Sequence, residues 1–476
     1  MESSISRNRI KSVEDINAIF EMQKQNQFAI ALSSAKDRIK KLKRLKNCIL
    51  KYRTEIQEAM YNDFRKHPAE VDMTEIYPTT SEIKHICAHL KDWMAREKVV
   101  TPLSLMGSTS FIHKEPKGVV LIISPWNFPV NLTFGPLVSA IAAGNCICLK
   151  PSEHTPHASA IMRKIVEECF EEKEVALVEG AVETAQHLLS LPFNHIFFTG
   201  SPAVGKIVMG AAANNLASVT LELGGKSPTI VDETASVDVA ARRIAWGKFV
   251  NNGQICIAPD YVFVHSSKMK AFQAKIKAYI EQYYSEDPSQ NDSYARMVNN
   301  KHYQRVLRYQ EDAINKGASI VHGGKTKDEE DYIQPTLLEN VPMDSELMTE
   351  EIFGPLLPLH SYDSIDDVIK IINEREKPLA LYIYSRNRKN INHILNNTRA
   401  GGSCINHTGV HFYNTHLPFG GSNNSGIGKA GGKAGFDAFT NQRGVLKQNV
   451  PNALELLIPP YNNFKQKLID FTIKYL

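Results

Sequence analysis

Apolar residues recur at helical spacing through the first hundred positions. Ile39, Leu42, Leu45 and Ile49 fall three or four residues apart between basic residues, so residues 12–100 read as helices carrying an apolar stripe. From residue 118 the pattern changes to short apolar runs. Gly118–Ser124, Cys146–Lys150, Val175–Val178 and His195–Thr199 read as buried strands. Helical periods lie between them, the clearest placing Ala158, Ile161, Met162, Ile165, Val166 and Cys169 on one stripe. Strands alternating with helices predict βαβ units around a parallel sheet. A second α/β series follows Glu222–Gly225, with strands over Tyr261–His265, Leu356–His360 and Leu379–Tyr384. The glycine-rich stretch Gly420–Gly435 reads as loop.

Composition narrows the class. The chain has 476 residues, 43% hydrophobic and 22% charged, as in ordinary globular proteins. Units of about 100–200 residues are typical, so two or three are expected. A net charge of +4 over this length argues against a nucleic-acid binder. The basic stretch Lys36–Arg53 reads as a solvated helix face. No apolar run reaches the roughly 18 residues of a membrane span. The nearest, Leu137–Leu149, is broken by Gly144 and Asn145. Met1–Asp15 lacks the apolar stretch of a signal peptide. Seven scattered cysteines fit a reducing, cytoplasmic setting, and their spacing predicts no metal site.

Several short segments carry chemistry. The strand ending at Thr199 runs into Gly200-Ser-Pro-Ala-Val-Gly205 and then a helix that Ser201 can cap. Such a turn lets a phosphate approach a helix N-terminus, although an ordinary strand-to-helix turn reads the same way. Cys256 follows a polar turn, Asn251-Asn-Gly-Gln254, a context that favours a reactive thiol over a packed one. Glu222 closes a strand just before Gly224 and Gly225, where a carboxylate can act as a general base or bind a helix N-terminus. Asn127, between rigid neighbours in Pro125-Trp-Asn-Phe-Pro129, can donate to an oxyanion or simply stabilise a turn.

Together these segments resemble the aldehyde dehydrogenase superfamily. Pro125–Pro129, Phe198–Gly205, Glu222–Pro228, Gly253–Cys256, Glu350–Pro355 and Pro418–Gly421 match its motifs in order, and the resemblance runs from about residue 20 to residue 445. Details are similar to the class 3 branch, which oxidises medium-chain, long-chain and aromatic aldehydes. Among them are Arg242–Phe249, Ala258–Tyr261, Asn373–Tyr382 and His411-Phe412. Residues 1–15 form an extra lead-in relative to that branch.

The resemblance implies a Rossmann-like cofactor domain, a second α/β catalytic domain and a small strand ribbon for oligomerisation. The first would span residues 1–99 and 113–222, the second 223–420, and the ribbon with the C-terminal segment 100–112 and 421–476. It implies Cys256 as nucleophile, Glu222 as the base for a hydrolytic water, and Asn127 with the Cys256 N–H as oxyanion donors. Lys150 and Glu153 would meet the adenosine ribose, and Glu351 the nicotinamide ribose beside Phe353. Trp126, Gly200, Ser201 and Gly205 would complete the cofactor site. The cofactor would be NAD, with NADP as second choice, and the assembly a homodimer pairing through Val100–Ile112 and Gln442–Lys447.

Two alternatives remain at this level: a CoA-acylating relative, which the base at Glu222 disfavours, and a catalytically silent binding protein on the same fold. Phe464, Leu468, Phe471 and Tyr475 recur at helical spacing. A helix docked on the protein body is the first reading, and loose contact with a membrane surface the second.

Overall fold

The computed structural model describes residues 11–450 and 453–475. Of the N-terminal lead-in, residues 1–10 lie outside that range. Ser12 caps the first helix, Val13–Ala31, in a reciprocal box with Asp15. Helices follow to Trp93, interrupted by a π-turn over Asp72–Ile76.

A six-stranded sheet comes next. Its order is Gly426–Ile427, Ser218–Leu223, His195–Gly200, Val119–Ile123, Cys146–Lys150 and Val175–Leu177. All neighbours are parallel except the two-residue edge strand, which pairs antiparallel with Glu222 and Leu221. Alternate strand residues face opposite sides. Val120, Ile122, Ile147 and Leu149 join the core beneath the N-terminal helices. Val119, Leu121, Cys146 and Cys148 pack on the other face with Ile16 and Phe20. Both faces are covered, which is why these strands read as unbroken apolar runs.

A seven-stranded sheet runs Ser319–His322, Thr336–Glu339, Leu356–Tyr362, Tyr261–His265, Pro228–Val231, Ala380–Tyr384 and Gly402–Ile405. It is parallel apart from its first strand. A third sheet, Glu97–Val99, Ser108–Pro116 and Thr440–Gln448, is antiparallel and projects as a ribbon. The expected ribbon strand Val100–Ile112 is displaced toward the C-terminus. Pro102 offers no ladder donor, a 3-10 turn occupies Leu103–Leu105, and Gly107 sits at φ +97°.

Two further readings change. Gly420–Gly435 is not all loop, because Gly426–Ile427 forms the edge strand and a helix starts at Gly432. The helix Asn463–Tyr475 is present, but it is not docked on the body: Phe464, Phe471 and Tyr475 stand exposed. All seven cysteines are free. Among the described residues no helix is long and apolar enough to cross a membrane.

Candidate active site

In an open parallel sheet, ligands collect beyond the carboxyl ends of the strands where the strand order reverses. Here the order reverses at Val119–Ile123, whose neighbours continue the chain on either side. A cavity of about 710 Å³ opens there. Asn127, Glu222 and Cys256 line it, as do Trp126, Gly200, Ser201, Glu351 and Phe353. Three predicted site residues, Lys150, Glu153 and Gly205, do not. Gly205 packs against the sheet, since a Cβ there would lie 2.7 Å from Leu223.

The turn before Cys256 inverts the chain. Asn251, Asn252 and Gly253 take φ of +51°, +55° and +73° in succession, a region that Asn and Gly enter most readily. A Cβ at Gly253 would lie 2.3 Å from the Gly354 carbonyl oxygen, so no side chain fits. The side chains then lock the turn. Asn251 Nδ2 donates to the carbonyls of Asn127 (2.9 Å) and Gln254 (3.1 Å). Gln254 Nε2 donates to Asn251 and Arg296 carbonyls, each at 3.0 Å. Asn127 Nδ2 donates to the Gln254 carbonyl at 3.1 Å, which occupies one of its two N–H groups.

Cys256 is half-buried, and its thiol is not held as a thiolate: burial, with the Glu351 and Glu222 carboxylates beside it, pushes it up to about 12. Glu222 is itself raised well above the ordinary carboxylate range by burial, which the Lys429 charge offsets only partly. Among the described residues neither of its oxygens has a hydrogen-bond partner. Gly420 makes room for it, because a Cβ there would fall 2.7 Å from Oε1.

The other end of the cavity is aromatic and braced. Trp126 stands edge-on to Phe353 at 5.2 Å and 4.7 Å from the His302 ring. Phe353 holds φ +44°, a strained value for an aromatic residue. Arg305 fixes that segment by donating to the Ile352 (2.9 Å) and Phe353 (3.1 Å) carbonyls. His302 and Arg305, both lining the cavity, carried no sequence signal.

These residues fit a dinucleotide. Ser201 caps the helix Pro202–Ala213, whose N-terminus faces the cavity and favours a phosphate. Gly200 lines the cavity beside it, and a Cβ there would meet the Phe198 ring at 2.5 Å, so only glycine fits. Glu351 Oε1 is buried without a partner, an acceptor that a ribose hydroxyl would satisfy. Lys150 pairs with Glu153 at 2.8 Å near the end of its strand. Among the described residues no cluster of His, Cys, Asp or Glu is arranged to hold a metal.

The chain is similar to known proteins over most of its length. Residues 2–445 match the description "Aldehyde dehydrogenase family". A 4,4'-diaponeurosporen-aldehyde dehydrogenase of Staphylococcus aureus is 43% identical over 89% of this chain and 92% of its own. The dimeric NADP-preferring aldehyde dehydrogenase of Mus musculus is 41% identical over 87% of this chain and 90% of its own. A solved structure described as the substrate-bound state of Staphylococcus aureus AldH superposes with a TM-score of 0.92 at 41% identity, covering 96% of this chain and 99% of that one.

Proposed function

Because the chain belongs to the aldehyde dehydrogenase family and works with NAD(P), we propose that it oxidises an apolar aldehyde, medium- or long-chain aliphatic or aromatic, to the carboxylic acid. One observation carries this reading: Cys256 and the unpartnered Glu222 carboxylate open onto the same cavity, whose wall also includes Leu132, Phe412, Leu417, Phe419 and Phe439.

Each residue has work to do. Cys256 Sγ, its proton released to solvent, bonds to the aldehyde carbon as the carbonyl π pair moves onto oxygen, which gives the thiohemiacetal oxyanion. The second N–H of Asn127 and the backbone N–H of Cys256 stabilise the oxyanion. The nicotinamide, when bound, supplies the hydride acceptor. The acyl group is then left on Sγ as a thioester. Glu222 takes a proton from water, the hydroxide adds to the thioester carbon, and the sulfur departs. A base at this position favours hydrolysis over transfer to a second thiol such as CoA. Trp126, Glu351 and Phe353 frame the nicotinamide end, Gly200 and Ser201 the phosphates, and Lys150 with Glu153 the adenosine side.

Rapid mixing tests these roles. Glu222→Gln should keep the first-turnover burst of NADH while steady-state turnover falls, and Cys256→Ser should lose both by several orders of magnitude. A burst lost with turnover in Glu222→Gln, or near-normal turnover in Cys256→Ser, would overturn the assignment.

We also infer a homodimer joined through the ribbon. Among the described residues the stretch Thr440–Lys447 ladders with Ser108–Pro116 at the edge of its sheet, which leaves the other side of that stretch for a second copy. Light scattering should return about twice the 53.3 kDa chain mass; a monomer or tetramer would exclude this arrangement.

A further inference from the structure

Behind Asn127 lies a charged cluster that the reaction itself does not use. Lys66 and Glu75 are both fully buried, with Lys66 Nζ 3.5 Å from Glu75 Oε1. Withdrawing two ions from water is costly unless hydrogen bonds satisfy their remaining valences. Here those bonds go to backbone groups of the site. Lys66 Nζ donates to the Asn127 carbonyl at 3.4 Å. Glu75 Oε2 accepts from the Asn131 N–H at 2.8 Å. A second carboxylate, Glu70, accepts from the Asn251 N–H at 2.9 Å. Asn251 in turn reaches back to the Asn127 carbonyl, which therefore receives both Lys66 and Asn251.

Local structure explains how so short a segment meets three parts of the site. Arg65, at φ +53°, ends the helix Arg53–Phe64 and turns Lys66 inward. The ammonium is held over the rings of Phe64 (4.9 Å) and Phe128 (4.6 Å). The π-turn Asp72–Ile76 carries Glu75, and such single wide turns are frequent at functional sites.

We propose that Lys66 is a positioning residue for the oxyanion site: with Glu70 and Glu75 it fixes the Asn127 loop and the Asn251–Gly253 turn relative to each other, and so sets the Asn127 amide against Cys256. This rests on the reading of Asn127 as an oxyanion donor. A pair that served stability alone could be replaced by an apolar residue with a change only in melting temperature.

The test uses a reaction that needs no cofactor. p-Nitrophenyl acetate acylates a thiolate through a tetrahedral oxyanion: sulfur bonds to the acetyl carbon, and p-nitrophenolate leaves with the electron pair. The stopped-flow burst of p-nitrophenolate therefore reports the oxyanion site directly. Lys66→Met keeps the stem and removes the charge. Its burst rate constant should fall about ten-fold, with the ester concentration at half-saturation changed less than about two-fold. Asn127→Ala should fall about a hundred-fold. The double variant should fall no further than Asn127→Ala alone, since no amide remains to be positioned.

An unchanged burst in folded Lys66→Met, or losses that multiply in the double variant, would overturn the proposal. A wild-type burst in Asn127→Ala would overturn the oxyanion reading itself. Should Lys66→Met fail to fold, Glu75→Gln takes its place in the same cycle under the same criteria. It keeps an acceptor for the Asn131 N–H and removes the charge opposite Lys66.

Discussion

The Glu351 carboxylate occupies the space that a side chain at Gly224 would need: a Cβ there would lie 2.0 Å from Oε2. Gly224 follows the strand that carries Glu222, so the first sheet and the Glu351–Gly354 segment meet at a point where only hydrogen fits. Burial, with Asp260 nearby, pushes Glu351 up to about 8, and a Gly225 backbone N–H offsets part of this. Gly224→Ala must displace Glu351. We expect cofactor affinity, read by fluorescence titration, to weaken by about ten-fold, the scale of one lost hydrogen bond. At pH 7, where Glu351 is mostly protonated and adds little charge beside the sulfur, the alkylation rate of Cys256 should stay within about two-fold. An unchanged cofactor affinity would remove Glu351 from the cofactor site.

The Cys256 thiol, pushed up to about 12, is almost wholly protonated at neutral pH. Below its pKa the thiolate fraction grows tenfold per pH unit, so the iodoacetamide rate should climb steadily from about pH 7 to 10 without levelling. Glu351 loses its proton near 8 and adds negative charge beside the sulfur, which holds the thiol up and makes the climb slightly shallower there. Peptide mass spectrometry identifies the labelled thiol. A plateau below pH 9 would mean that some cation lowers the thiol and that the present electrostatic account fails.

Cofactor choice turns on a pair rather than on a lone carboxylate. Glu153 is bonded to Lys150 at 2.8 Å, so the charge that would repel a 2′-phosphate is already partly balanced. Unit charges about 4 Å apart in water interact by about 1 kcal/mol and a 2′-phosphate carries close to two, so with Lys150 offsetting part of this the expected preference for NAD over NADP is about ten-fold. Glu153→Gln frees the Lys150 ammonium and should narrow or reverse that preference, read as kcat/KM for each cofactor at saturating aldehyde. A ratio unmoved by the substitution would place the 2′ position elsewhere.

The strands were legible because both sheet faces are covered, which makes segments such as Cys146–Lys150 apolar throughout. Asn127, Glu222 and Cys256 could be singled out because backbone constraint and chemistry coincide in short segments, Glu351 and Phe353 came only from the family resemblance, and all five line one cavity. What stayed hidden is long-range. Lys66 and Glu75 sit in a polar stretch, and their burial comes from the packing of helices against Phe128 and Asn131. The packing of Gly205 on Leu223 was also hidden, because a glycine that serves close packing looks the same in sequence as one that serves a phosphate. The two carboxylates beside Cys256 were hidden as well, because they approach it from positions 34 before and 95 after it in the chain. The run Asn251-Asn-Gly253 did carry an unused signal, since three residues tolerant of left-handed backbone predict a sharp reversal.

Substrate preference follows from the cavity wall. Leu132, Phe412, Leu417, Phe419 and Phe439 give it an apolar side, while Glu222 and Asn127 mark the reacting end. The edge-on packing of Phe412 against Phe419 at 5.0 Å gives the wall a fixed shape rather than a loose one. Each methylene transferred from water to such a surface contributes about 0.8 kcal/mol, or close to a four-fold gain per carbon. The gain must stop where the chain reaches solvent. kcat/KM across straight-chain aldehydes should therefore rise over several carbons from acetaldehyde and then level. Replacing Phe412 by Ala should flatten the rise without lowering the value for acetaldehyde, which is too short to use the wall. A profile flat or falling from two carbons onward would exclude an apolar-chain substrate, and a rise unaffected by Phe412→Ala would move the chain to a different side of the cavity.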